Sequence, residues 1–180
     1  MAFLALSFLQ LGLTTQLSLA NTECNDLENY EYVGICKDGR YHGFGNLSYP
    51  DGGYYSGDWR DGERNGNGSM EFSMDDSEGR KSYDGEWSND VVEGHGRMEW
   101  RKENPDNQSG YEGYYKNDTE HGYGKSIWQN GDTYHGDIVN GKMTGNGTYF
   151  FSDGTIYEGK LTDGDFNGSG KMEMCTKVIL

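Results

Sequence analysis

Large and small side chains alternate with a period of two through most of this chain, in stretches of five to seven residues separated by polar turn residues. That period sets successive side chains on opposite faces of an extended backbone, so it predicts strands rather than helices. In the first strand of each unit a tyrosine, a glycine two residues on and a third residue share one face. The tyrosines are Tyr32, Tyr55, Tyr83, Tyr111, Tyr134 and Tyr157, and the glycines are Gly34, Gly57, Gly85, Gly113, Gly136 and Gly159. The third residue is Cys36, Trp59, Trp87, Tyr115, Ile138 or Leu161. Eleven residues after each tyrosine a Gly-x-Gly begins, at Gly43, Gly66, Gly94, Gly122, Gly145 and Gly168. Both of its glycines fall on one face of the second strand, followed there by Leu47 and Tyr49, Met70 and Phe72, Met98 and Trp100, or Tyr149 and Phe151. Between the strands stand Asp38-Gly39, Asp61-Gly62, Asn89-Asp90, Asn117-Asp118, Asn140-Gly141 and Asp163-Gly164. Such pairs tolerate the positive φ of tight hairpin turns.

The unit therefore recurs six times, 23 residues apart except for two intervals of 28, from Tyr55 to Tyr83 and from Tyr83 to Tyr111. Both five-residue insertions follow the Gly-x-Gly, at residues 75–81 and 103–109, so they lengthen one connection and leave the hairpin intact. A period of this size marks a repeat architecture in which each unit contacts mainly its neighbours. Glycine ordinarily weakens a strand. Its place on the same face as the large rings implies a packing rule, in which a Tyr or Trp of the adjacent strand lies flat over bare backbone.

Tyr-x-Gly-x-Trp followed by Gly-x-Gly, clearest at Tyr55–Trp59 and Gly66–Gly68, resembles the membrane occupation and recognition nexus (MORN) repeat over residues 32 to about 174. The resemblance implies an all-β fold, a single elongated twisted antiparallel sheet of about six consecutive hairpins with no enclosed core. About twelve strands would extend such a sheet on the order of 55 Å. It also implies a scaffold or tether, as MORN repeats serve in proteins where they accompany catalytic domains. Cys36, Ile138 and Leu161 depart from the pattern where tryptophan would stand, which predicts thinner aromatic packing at both ends.

Composition sharpens this picture. Only 33% of the 180 residues are hydrophobic, while glycine numbers 29 and proline 2, which fits many turns and a thin core. Thirty acidic against fifteen basic residues give a formal net charge of −15, which repels nucleic-acid phosphates and anionic lipid head groups. No nucleic acid is expected as a partner, and direct binding to an anionic membrane is disfavoured.

The terminal segments bear on compartment. Residues 1–20 carry no charged side chain and end in Ser18-Leu-Ala20, which reads as a secretory signal peptide cut after Ala20. A membrane anchor and an unprocessed apolar tail are the alternatives. Residues 21–31 then form an N-terminal cap, closed by a disulfide between Cys24 and Cys36, and residues 175–180 a C-terminal tail. Unpaired thiols in a cytosolic protein are the alternative to that disulfide. Sequons at Asn46, Asn67, Asn107, Asn117, Asn146 and Asn167 exceed what composition gives, and Asn107 and Asn117 offer glycans the easiest access. A secretory or extracellular location is expected, with a cytoplasmic or membrane-associated one as the alternative.

No chemistry is expected of the chain. Asp163-Gly-Asp165-Phe-Asn167-Gly168 begins like a calcium loop, but the twelfth position, where a bidentate glutamate belongs, is Met174. His42, His95, His121 and His135 fall too far apart to share zinc. No helix follows any Gly-x-Gly to hold phosphate, and no serine sits in a strand-turn-helix elbow. The chain is read as non-catalytic, with no cofactor and no metal.

Recognition of a protein partner remains, and Trp59, Phe72, Trp87, Trp100, Tyr115 and Trp128 are the rings expected to carry it. Packing of those rings on one another is the competing reading. Exposed edge strands leave self-association open. The alternatives to a scaffold are a secreted or cell-surface structural glycoprotein and a truncated regulatory region of a larger MORN-containing enzyme.

Overall fold

A computed structural model describes Cys24 and residues 29–102, 104–167 and 170–174. The expected signal peptide, most of the cap and the tail lie outside the described residues. The rest is all-β, one open antiparallel sheet whose strands follow chain order without a crossover. The first three hairpins are β1 (Glu31–Lys37) with β2 (Arg40–Ser48), β3 (Tyr54–Arg60) with β4 (Glu63–Glu71), and β5 (Arg80–Ser88) with β6 (Val91–Trp100). The next are β7 (Gln108–Lys116) with β8 (Thr119–Trp128) and β9 (Thr133–Val139) with β10 (Lys142–Phe150). In the last, β11 (Thr155–Thr162) pairs with both β12 (Asp165–Phe166) and β13 (Lys171–Met174). Both residues of all six predicted turn pairs have positive φ, as the Asn, Asp and Gly there allow.

Register is set by glycine. Gly34 pairs with Gly45, Gly45 with Gly57, Gly57 with Gly68 and Gly68 with Gly85. The row continues through Gly96, Gly113, Gly124, Gly136, Gly147 and Gly159, so one glycine per strand forms a spine across the sheet. Each repeat's tyrosine lies over its own strand's spine glycine and the next one. A Cβ added to Gly57 or Gly68 would stand 2.5 or 2.2 Å from the Tyr55 hydroxyl. The hydroxyl then donates to the carbonyl three residues on, from Tyr55 to Asp58 at 3.1 Å and from Tyr83 to Glu86 at 3.0 Å. Tyr32, Tyr111, Tyr134 and Tyr157 do the same. Burial raises the pKa of the Tyr55, Tyr83 and Tyr111 phenols and pushes that of Tyr134 up to about 12, so all four stay neutral donors at ordinary pH.

Three details differ from the expectation. Tyrosine alone lies over the spine. Trp59 and Trp87 stand at its side, each indole donating from Nε1 to the preceding repeat's spine carbonyl, Trp59 to Gly45 at 3.0 Å and Trp87 to Gly68 at 3.1 Å. The two glycines of Gly-x-Gly also have separate roles. The second is spine, whereas the first sits at a bulge with φ between 60° and 114° in Gly43, Gly66, Gly94, Gly122 and Gly145. Aromatic packing, finally, is not thinner at either end, since Tyr41 of the first hairpin lies between Tyr32 at 4.0 Å and Trp59 at 5.0 Å. Phe166 packs 4.6 Å from Tyr157 and 5.4 Å from Tyr149, a ring that the Leu161 substitution alone would not reveal.

Consecutive hairpins are tied at their turns as well as along their strands. Gly62 N donates to Tyr41 O, Asp90 N to Arg64 O, Asp118 N to Val92 O, Gly141 N to Glu120 O and Gly164 N to Met143 O, at 2.9 to 3.1 Å. The accepting residues all fall nine positions after a repeat tyrosine. Cys24 is joined to Cys36 by a disulfide with Cα atoms 5.4 Å apart, which ties the chain ahead of β1 to the first hairpin.

Candidate functional site

The six expected contact rings divide into two groups. Trp59, Trp87 and Tyr115 are each 5% exposed, so they are core rings, of which Trp87 and Tyr115 also border a cavity. Their burial follows from the register. Trp87 is wedged edge-on between Tyr55 at 5.7 Å and Tyr83 at 5.0 Å, because it faces the tyrosines of two successive repeats. Phe72, Trp100 and Trp128 are half-buried, packed on one side against that core. With Tyr49 and Phe151 they occupy the equivalent place in five successive repeats, two residues beyond Leu47, Met70, Met98, Ser126 and Tyr149. The result is a rim of five rings along one edge of the ring face.

The two insertions lie at this rim. Asp76 accepts from the Arg80 and Glu78 backbone amides and pairs with the Arg80 guanidinium at 2.8 Å. Burial raises the Asp76 pKa, but the Arg80 hydrogen bonds and charge outweigh it and hold the carboxyl below its usual range. Arg80 in turn lies over Phe72, 4.4 Å from the ring centroid. Asn104 folds the second insertion back by accepting from Gln108 N at 3.0 Å and donating to Arg101 O at 2.6 Å.

Between the rim and the turns lie two adjoining cavities of about 820 and 530 Å³, within the span of roughly 300–1,000 Å³ common for ligand sites. Trp100, Glu78, Asp118 and Glu120 line both. The first is walled by seven carboxylates against two arginines and the second by five against one lysine. Among the described residues no three His, Cys, Asp or Glu side chains are grouped to hold a metal.

One set of residues has no recognisable pattern in the sequence. The position nine after each tyrosine is Tyr41, Arg64, Val92, Glu120, Met143 or Phe166, and the first five accept the turn amide of the next repeat. These side chains cover the ring face. Tyr41 stacks on Tyr32 at 4.0 Å, and Arg64 lies over Trp87 with Cζ 4.1 Å from the ring centroid. Glu120 is half-buried, accepts from Gln108 Nε2 at 2.8 Å and has its carboxyl pushed up to about 7 by burial, with Asp106 adding to the rise. The identity at this position varies freely because the backbone carbonyl, not the side chain, makes the repeating contact.

An open hairpin-repeat sheet with one ring-lined face is the architecture of a repeat scaffold. The MORN repeat family model matches residues 32–54, 55–77, 83–104, 111–133 and 134–156, well over half of the 180 residues, and the chain belongs to that family. The matches cover five repeats. The sixth, beyond residue 156, keeps the same packing, since a Cβ on Gly159 would meet Gly170 Cα at 2.4 Å and the Tyr157 hydroxyl at 2.7 Å. No curated protein matches the sequence. Among solved structures, the chain is similar to the SAS-4 (dCPAP) TCP domain in complex with a proline-rich motif of Ana2 (dSTIL) of Drosophila melanogaster. That likeness covers 82% of this chain and 90% of that one at 16% identity and a TM-score of 0.29.

Proposed function

We propose that this chain is a non-catalytic MORN-repeat scaffold that holds an extended segment of a protein partner along the rim of Phe72, Trp100 and Trp128. The supporting observation is the rim itself, a row of half-buried rings beside two adjoining cavities and packed on one side against the buried core. Partly exposed aromatic rings over a packed base are what anchor a partner side chain. The opposite face carries Tyr114 and Tyr123 among polar and charged residues, with Val33, Ile35 and Phe44 exposed together in its first hairpin, and lacks a row of rings running from repeat to repeat. A photoreactive residue placed at Trp100 in cells that make the protein is expected to cross-link one discrete partner, and the same residue at Tyr123 none. Cross-links from Tyr123 alone would move the docking face to the other side of the sheet.

A secreted or cell-surface location for the same scaffold is favoured by the Cys24–Cys36 disulfide, since such bonds persist in oxidising compartments. Asn67, Asn107, Asn117, Asn146 and Asn167 are exposed, so a glycosyltransferase has access to them. Asn46 is half-buried with its Oδ1 enclosed and unpartnered, which makes it the poorest acceptor. The native protein is expected to begin at Asn21 and to lose mass on endoglycosidase treatment. An intact Met1 with unchanged mass would place the scaffold in the cytoplasm.

A further inference from the structure

Arg64 shows how this fold holds a guanidinium. It lies on the face of Trp87, its Nε donates to Asp90 Oδ1 at 2.9 Å and its Nη2 donates to Asp90 O at 2.9 Å. An aromatic face combined with a carboxylate is a two-part cation site that suits arginine's planar fork better than lysine's hydrated point charge. One repeat further on, the same parts recur. Tyr115 replaces Trp87 and Asp118 replaces Asp90, with Asp118 Oδ1 accepting from Val92 N at 2.8 Å as Asp90 Oδ1 accepts from Arg64 N at 3.0 Å. The cation does not recur, because Val92 stands where Arg64 would. In the repeat after that the position is Glu120, which adds a further carboxylate.

Tyr115 supplies an observation independent of the carboxylates. Trp59 and Trp87, at the same place, satisfy their indole nitrogens on the preceding spine carbonyl, but the hydroxyl of Tyr115, carried at the far tip of its ring, finds no hydrogen-bond partner. Tyr115 is 5% exposed and lines the larger cavity, and a buried hydroxyl left unpaired is destabilising. The two arginines that line the cavity are already engaged, Arg64 with Asp90 and Arg80 with Asp76 and Glu78.

We propose that the cavity formed by Trp100, Tyr115, Asp118 and Glu120 receives an arginine side chain from a basic segment of a protein partner. The guanidinium lies against the rings, donates to the two carboxylates and gives the Tyr115 hydroxyl a hydrogen-bonding neighbour. This names the chemistry of the partner docked on the rim and rests on that reading. Charge complementarity supports it, through the carboxylate excess of both cavities and a chain of net charge −15. Two strand spacings make a repeat roughly 9.6 Å, and an extended segment in polyproline II geometry, which returns a side chain to the same face every third residue, advances about 9.3 Å over three residues. A second arginine three residues along therefore reaches the smaller cavity beside Trp128.

The test is fluorescence anisotropy of a labelled Gly-Arg-Ser-Gly-Arg-Ser-Gly peptide, and of its citrulline counterpart, on the full chain. The arginine peptide is expected to bind at least about tenfold more tightly than the citrulline one. Asp118→Asn with Glu120→Gln, which keeps an acceptor for Val92 N and for Gln108, is expected to weaken it by a similar factor. Trp100→Ala, which leaves both carboxylates in place, is expected to do so independently, and Glu112→Gln on the opposite face to change nothing. Equal binding of the citrulline peptide, or binding indifferent to both groove variants, overturns the proposal. Cross-linking from Trp100 that persists while the arginine peptide fails removes the arginine chemistry and leaves the rim. Cross-linking from Tyr123 alone removes the rim as well.

Discussion

Gly96→Ala should strongly destabilise the middle of the sheet, whereas Gly110→Ala should be nearly silent. The new methyl at Gly96 would stand 2.3 Å from the Tyr83 hydroxyl and 2.5 Å from its Cε2. The ring cannot move aside, because Trp87 at 5.0 Å and Tyr115 at 5.6 Å hold its edges and its hydroxyl is bonded to Glu86 O at 3.0 Å. Forced overpacking of this kind costs about 3 kcal/mol. At roughly 2–4 °C per kcal/mol for a chain of this size, the melting midpoint should fall by about 10 °C. At Gly110 the nearest atoms would be Met98 O at 3.6 Å and Ile127 Cδ1 at 3.8 Å, ordinary contacts, so calorimetry should show a shift of less than about 0.5 kcal/mol. In a Tyr83→Ala background the Gly96→Ala cost should largely vanish, since a coupled pair is not additive. Equal midpoints for Gly96→Ala and Gly110→Ala would mean the phenol is not pinned to the spine.

That dependence on one missing methyl explains what could be read from the residues alone. Positive φ at Asp61-Gly62 or Asn117-Asp118 is a local property, and so is the alternation of Tyr55, Gly57 and Trp59, which makes turns, strands and faces legible without a structure. Burial of a particular ring is not local. Trp87 is enclosed because Gly68 pairs with Gly85 across the repeat boundary, which brings Tyr55 of one repeat and Tyr83 of the next onto either side of it. Trp100 has the same composition and the same face but lies beyond the last tyrosine row, where only one side is packed. The residues nine after each tyrosine were invisible for a different reason. Their shared function is carried by a carbonyl, so selection for the contact leaves Tyr41, Arg64, Val92 and Glu120 with nothing in common.

The division between Trp87 and Trp100 should appear as two opposite phenotypes. Trp87→Ala removes a side chain that is 5% exposed, vacates the space between two tyrosines and strips the Gly68 carbonyl of its 3.1 Å donor. Truncating a buried tryptophan costs about 3–5 kcal/mol, and the abandoned carbonyl and the Arg64 guanidinium left without its ring add to it. The chain should lose cooperative unfolding well below the wild-type midpoint and fail to hold a partner only because it fails to fold. Trp100→Ala leaves the spine, the tyrosines and their hydrogen bonds in place, so thermal unfolding should shift by about 1 kcal/mol or less while cross-linking from a photoreactive residue at Trp128 disappears. Circular dichroism melts of the two variants, run beside the cross-linking assay, separate the roles. A stable Trp87→Ala that has lost its partner, or a Trp100→Ala as unstable as Trp87→Ala, would exchange the assignments of core and contact between the two rings. The rim would then have to be sought among the side chains that cover the tyrosines.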